Sequence, residues 1–268
     1  MSIILGISLI FSLTTTITVI TTNTDVNKAF GHSFTSDDSV TFLSLAKRAI
    51  TELELAKKNF PSNITIAMDH SDNAARLVND VYYVDDDIVD DQDFIIRYDK
   101  EITSDNSTIH SLVMADLIDQ VLRAYSSAVM LNVDLTNMTN LVVLDNFEKS
   151  INDNLPIAKS NPNFEKYQKL ISTNNTVVDS ADYETALILT EEIKDLYNDK
   201  LKGSGTNNSN LISKLEKELD NLNLIVSNKG SGKDLMELVH LNIHSSLQQL
   251  FNLKSQMNMN MNNMMMDR

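Results

Sequence analysis

The chain has no cysteine and no tryptophan in 268 residues, only three prolines and six glycines, and 22 basic side chains against 37 acidic ones. Each shortage excludes something. Without cysteine there is no disulfide and no thiolate metal site, so burial and hydrogen bonding alone must hold the fold. So few turn formers, with almost no strict alternation of apolar and polar residues, exclude a β-sandwich or barrel and leave an all-α class. A formal net charge of -15 repels phosphate backbones and anionic lipid, which excludes nucleic acid and favours cations or a basic partner protein. No nucleophile elbow, phosphate loop or HExxH zinc motif occurs, so the residues read as those of a protein that is not an enzyme.

One long apolar run is present, ILGISLIFSLTTTITVI at 4–20. Its length fits either the core of a secretory signal or a membrane anchor, and Ala29-Phe30-Gly31 places small residues at the positions preceding a cut before His32. Residues 1–31 are therefore expected to be a signal peptide or anchor. Either form places the rest of the chain outside the cytoplasm, and an uncleaved leader would hold it to the membrane.

From 32 to 254 apolar residues recur at three- and four-residue steps, the period of an amphipathic helix. Pro61 stops a first helix that opens near Thr35-Ser36-Asp37-Asp38 and carries Leu43, Ala46, Ile50 and Leu53 in line. Ser62-Asn63 caps a second helix with Ala67, His70, Ala74, Leu77 and Val81, making a hairpin with the first. Residues 84–99 carry seven aspartates and read as a solvated loop with Phe94-Ile95-Ile96 tucked inward; no glycine turn or closing glutamate makes it a calcium loop. Further helices are expected at about 107–131, 136–154, 163–178 with a break near 172–176, 180–201, 209–226 and 233–254. The expectation is an antiparallel bundle of six to eight helices, with sub-bundles 32–155 and 163–254 on either side of Pro156 and Pro162. A disordered Met- and Asn-rich tail follows at 255–268.

Histidines and methionines are the candidate metal ligands, because imidazole and thioether are the neutral donors left once cysteine is absent. His70 and His110 fall on the apolar stripes of their helices, where a hydrogen-bonded core histidine is the simpler account. Glu237, His240 and His244 share one side of the last helix at three- and four-residue spacing, the Glu-x-x-His pattern of di-metal bundles present once. On a regular helical wheel the two histidines lie at the rim of the arc formed by Met236, Ile243, Leu247 and Phe251. Cleavage before His32 would leave an N-terminal amine beside an imidazole, a two-nitrogen chelate for copper. The tail holds Met257, Met259, Met261, Met264, Met265 and Met266, soft donors suited to Cu(I).

The stretch AFGHSFTSDDSVTFLSLAKRAITELELAKKN, followed by AMDHSDNAARLVND, resembles a set of exported helical proteins of unknown function in ammonia-oxidising archaea. The match spans about 29–83. It implies an extracytoplasmic, membrane-associated location in a copper-rich setting and brings no activity and no site residues. The resulting expectation is an accessory or scaffold module at the membrane, partnered by a membrane protein complex. The alternative is a copper or divalent-metal binding protein using the histidines and the methionine tail.

Overall fold

The computed structural model describes residues 38–253, apart from 86, 89 and 154. The expected leader, His32 and the methionine tail lie outside the described residues. Those described are helical, with no strand among them.

Helix α1 (Asp38–Asn59) and α2 (Ile64–Val84) form the expected hairpin. The Asn63 side chain accepts from the Ile66 backbone N–H at 3.3 Å, satisfying one of the free donors at the start of α2. All five α2 residues expected inward, Ala67, His70, Ala74, Leu77 and Val81, are buried. On α1, by contrast, Ile50 and Leu53 are only half-buried, and Ala49, Thr51, Glu52 and Leu55 are buried instead. The cause is that α1 touches four neighbours, α2, α3, α4 and α8, so a single stripe cannot describe it.

Residues 84–99 are not one loop. Asp90 accepts from the N–H groups of Gln92 and Asp93 and starts α3 (Asp91–Ile102). Phe94 is buried against Phe42, as expected, whereas Ile96 on the opposite side of the new helix is exposed. An aspartate run that reads as solvated loop is thus partly a capping sequence, since carboxylates suit the positive end of a helix.

Helix α4 (Ser107–Ala128) is the axis of the molecule and is buried nearly all round from Val113 to Leu122. Five elements pack on it: α1, α8 (Ser180–Leu196), the turn Tyr197–Leu201 that follows α8, α10 (Gly232–Glu237) and α11 (His244–Phe251). Helix α5 (Thr139–Asp153), the one-turn α6 (Leu155–Lys159) and α7 (Phe164–Ile171) sit together beside α10. Pro156 lies in the first turn of α6, where its missing N–H breaks no helical bond. The helix expected to reach 178 stops at Ile171, where the polar run 172–176 begins. Helix α9 (Ser209–Ser227) packs between α8 and the last helices. One apolar core runs through all these layers, drawing on Leu43, Leu77, Leu117, Leu122, Leu189, Leu219 and Leu247 on both sides of the Pro156–Pro162 connection.

Two stretches widen into π turns, Tyr197–Leu201 after α8 and Leu238–Ile243 between α10 and α11. A π turn holds an extra residue, so the regular wheel fails across the second one. His244 is consequently buried against α4, and only His240 is left half-buried.

Candidate functional site

Among the described histidines expected to bind metal, His70 and His110 lie apart, and only His240 and His244 meet. His110 donates from Nε2 to the Ser104 carbonyl at 2.8 Å, and burial holds its imidazole below the ordinary value. His240 donates from Nε2 to the Leu135 carbonyl at 2.8 Å and meets His244 edge to face, centroids 5.6 Å apart. Glu237 contacts Lys233 at 2.9 Å, and Asp145 and Glu148 contact the same ammonium at 3.0 and 2.7 Å. The carboxylate expected to join a metal site therefore joins a lysine cage. No group of three or more His, Asp or Glu side chains placed to hold a metal ion occurs among the described residues.

His70 is fully buried between two carboxylates. Its Nδ1 donates to Glu52 Oε2 at 2.7 Å, and its Nε2 lies 3.6 Å from Glu184 Oε2. Burial pulls the imidazole towards neutrality, but the Glu52 bond and the two carboxylate charges outweigh it and raise its pKa above the ordinary value. Glu52 is held from its other side by Thr185, whose hydroxyl donates to Oε1 at 2.7 Å. Asn59 donates to Glu184 at 2.6 Å. This polar cluster fixes the α1–α2 hairpin to α8.

Glu52 is also one wall of an open cleft of about 380 Å³ on the seam between the α1–α2 hairpin and the α4–α8 pair. Each of the four helices turns residues at three- and four-step spacing towards it: Arg48, Thr51 and Glu52 from α1; Asn73, Arg76 and Leu77 from α2; Gln120, Arg123, Ala124 and Ser127 from α4; Asp182, Thr185 and Leu189 from α8. Such spacing keeps side chains on one helix face, so the lining is a continuous surface rather than a set of chance neighbours.

Three arginines meet there. The whole chain has five, Arg48, Arg76, Arg97, Arg123 and Arg268, in a protein of net charge -15, and Arg48, Arg76 and Arg123 line this one cleft. Arg97 is accounted for elsewhere, paired with Asp85 and lying over the Phe42 ring. Arg76 donates to Asn73 at 2.7 Å. Arg48 is desolvated, which lowers its pKa, and Asp116, Glu52 and Asp80 oppose that shift by their charge. The Arg123 Nε is buried without a hydrogen-bond partner. The carboxylates of the cleft, in contrast, already have donors: Glu52 takes His70 and Thr185, and Asp182 takes the Ser127 hydroxyl. A guanidinium presents five donors in a rigid fork that matches a carboxylate or phosphate, so the unmet Arg123 donor gives the cleft a group an anion could take, beside the charges of Asp80, Asp116 and Asp119 that already face these arginines.

Behind the cleft α4 carries a buried acidic step. Asp116 and Asp119 are 8% and 3% exposed. Desolvation, with Asp116 close by, pushes Asp119 up to about 8, against the pull of Arg123. Desolvation pushes His244, whose Nε2 is 3.6 Å from Asp119 Oδ1, down to about 3. Burial thus works against the charged form of both groups, and so against an ion pair between them.

None of the three arginines stands out in the sequence by motif. The readable signal is in α4: a helix apolar on every face is buried, so polar residues within it, Asp116, Asp119, Gln120 and Arg123, must face partners inside the fold. Comparison with family models, with curated proteins and with solved structures gives no match.

Proposed function

We propose that this chain is a non-enzymatic helical binding module working outside the cytoplasm at the membrane, and that its working part is the cleft holding a small anion among Arg48, Arg76 and Arg123. The observation that carries the binding role is the convergence of three of five arginines on one cleft of a strongly acidic chain. Long-range charge argues against anions approaching such a protein, so cations gathered at one place are there for local recognition. The apolar run at 4–20 and the stretch before His32 support the location, and a module that binds without transforming its ligand suits an accessory role in a membrane complex.

Calorimetric titration of the full chain with inorganic phosphate and with acetate tests this reading. Binding that weakens at least about tenfold in Arg123→Gln is the expected result, since a charge-assisted bond contributes about 1.5–3 kcal/mol. Heats equal in the variant and the parent, or no binding of either anion, would contradict it.

A further inference from the structure

A second cavity of about 570 Å³ adjoins the arginine cleft, and the two share Arg123 and Ser127. Its character differs. Met130, Val133, Leu135 and Val178 supply apolar walls, and two of these, Met130 and Val178, are 50% and 58% exposed. Exposed apolar side chains at the edge of a concavity offer an apolar surface to the body of a ligand.

The acids on its rim are already engaged. Asp134 Oδ1 accepts from the Thr136 N–H at 2.9 Å and the Thr136 hydroxyl at 2.6 Å, and Asp179 Oδ1 accepts from the Asp182 N–H at 3.0 Å. The walls are fixed by the backbone. Met130 closes α4 in the left-handed region at φ 50°, with the Leu131 N–H bonded to the Ser126 carbonyl at 2.9 Å. The Ser126 hydroxyl donates to the Val133 carbonyl at 2.7 Å, and the N–H groups of Val178 and Asp179 both reach the Ala128 carbonyl. These bonds hold the walls in place.

We propose that the ligand is an amphiphilic anion, of the medium-chain carboxylate class, whose head lies among Arg48, Arg76 and Arg123 and whose apolar body runs past Arg123 into the chamber walled by Met130, Val133, Leu135 and Val178. This rests on the anion-binding reading above and adds to it the half of the ligand that an inorganic ion lacks. Arg123 is the hinge of the assignment: it lines both cavities, so a carboxylate bonded to it places an attached chain at the chamber.

The test is a titration series of acetate, butyrate, hexanoate and octanoate against the full chain, with phosphate and uncharged octanol alongside. Affinity should rise about two- to fourfold per added methylene, the gain expected for burying each one in part or in full. In Met130→Asn/Val178→Asn the series should flatten while phosphate binding stays unchanged; asparagine suits the left-handed backbone at 130, and both side chains are exposed, so the variant folds. Octanoate binding no tighter than acetate, with phosphate still bound, would overturn the amphiphile and leave the anion reading standing. Octanol binding as tightly as octanoate would overturn the placement of the head. Failure of phosphate and every carboxylate to bind would overturn both.

Discussion

Replacing Asp119 by asparagine should make the protein more stable, and increasingly so as pH rises. In the folded chain burial pushes this carboxyl up to about 8, whereas in the unfolded chain it ionises near its ordinary 3.8. Between those values the unfolded state releases a proton that the folded state must keep, so stability falls with rising pH and the loss is complete only above about 8. At pH 7 the gap is about three pH units, or about 4 kcal/mol against the folded state, at 1.36 kcal/mol per unit. Asparagine has nearly the same shape and no charge to desolvate. Its amide adds a donor next to His244 that must find an acceptor, which returns about 1–2 kcal/mol. The net expectation is a gain of about 2 kcal/mol at pH 7, read as a higher urea midpoint at unchanged slope. At pH 5 the difference between variant and parent should shrink to near zero or change sign. A variant less stable than the parent at pH 8, or an offset equal at pH 5 and pH 8, would refute the argument that Asp119 is a desolvated, protonated carboxyl facing Asp116, Arg123, Asp134 and His244.

Other substitutions probe other parts of the fold. His70→Gln should destabilise by about 3 kcal/mol, the order found on breaking a buried charge pair. Because the folded pKa of His70 is raised, that cost should be full below about pH 6.5 and fade as pH climbs through the raised value, measured as the urea-midpoint difference from the parent. Gly232→Ala places a Cβ 2.8 Å from Leu131 Cδ1 and 3.1 Å from Leu170 Cδ2, both in the core. Overpacking of this kind should lower stability by about 1–2 kcal/mol in thermal unfolding. Lys233→Met removes the cation that Asp145, Glu148 and Glu237 surround. Its partners are exposed enough for solvent to screen them, so the loss should be about 1 kcal/mol and should diminish in high salt.

Inward faces were legible from period in α2 and in α8, where Ala181, Ala186, Leu189, Ile193 and Leu196 are all buried, and less so in α1. Period alone placed Ala67, His70, Ala74, Leu77 and Val81 of α2 inside, because α2 packs mainly on α1. The same rule missed Ala49, Thr51, Glu52 and Leu55 of α1 and left Ile50 only half-buried, because the buried surface of α1 wraps around to meet α3, α4 and α8. It also misplaced His244, because the π turn over Leu238–Ile243 shifts the register that a regular wheel assumes. The break after Ile171 was legible in the polar run that follows it, and α3 was hidden because aspartates that cap a helix have the composition of a loop. The cleft was invisible for a further reason. Its arginines come from three helices and sit beside the apolar stripes, where a charged residue ordinarily turns to solvent. Only folding brings Arg48, Arg76 and Arg123 together.

The central claim is that this arginine cluster binds an anion, and five arginines in the chain allow a direct reading. Spectra of the guanidinium Nε–H groups, recorded on the nitrogen-labelled protein with phosphate or octanoate added in steps, should show Arg48, Arg76 and Arg123 shifting in one saturable transition. Arg123 should move most, since its Nε begins without an acceptor, as that of Arg97 does, and of the two only Arg123 lines the cleft. Arg97, already paired with Asp85, should stay in place. If the three stay unchanged at saturating anion, or Arg97 shifts as much as they do, the cleft is a structural ion network and the account is wrong.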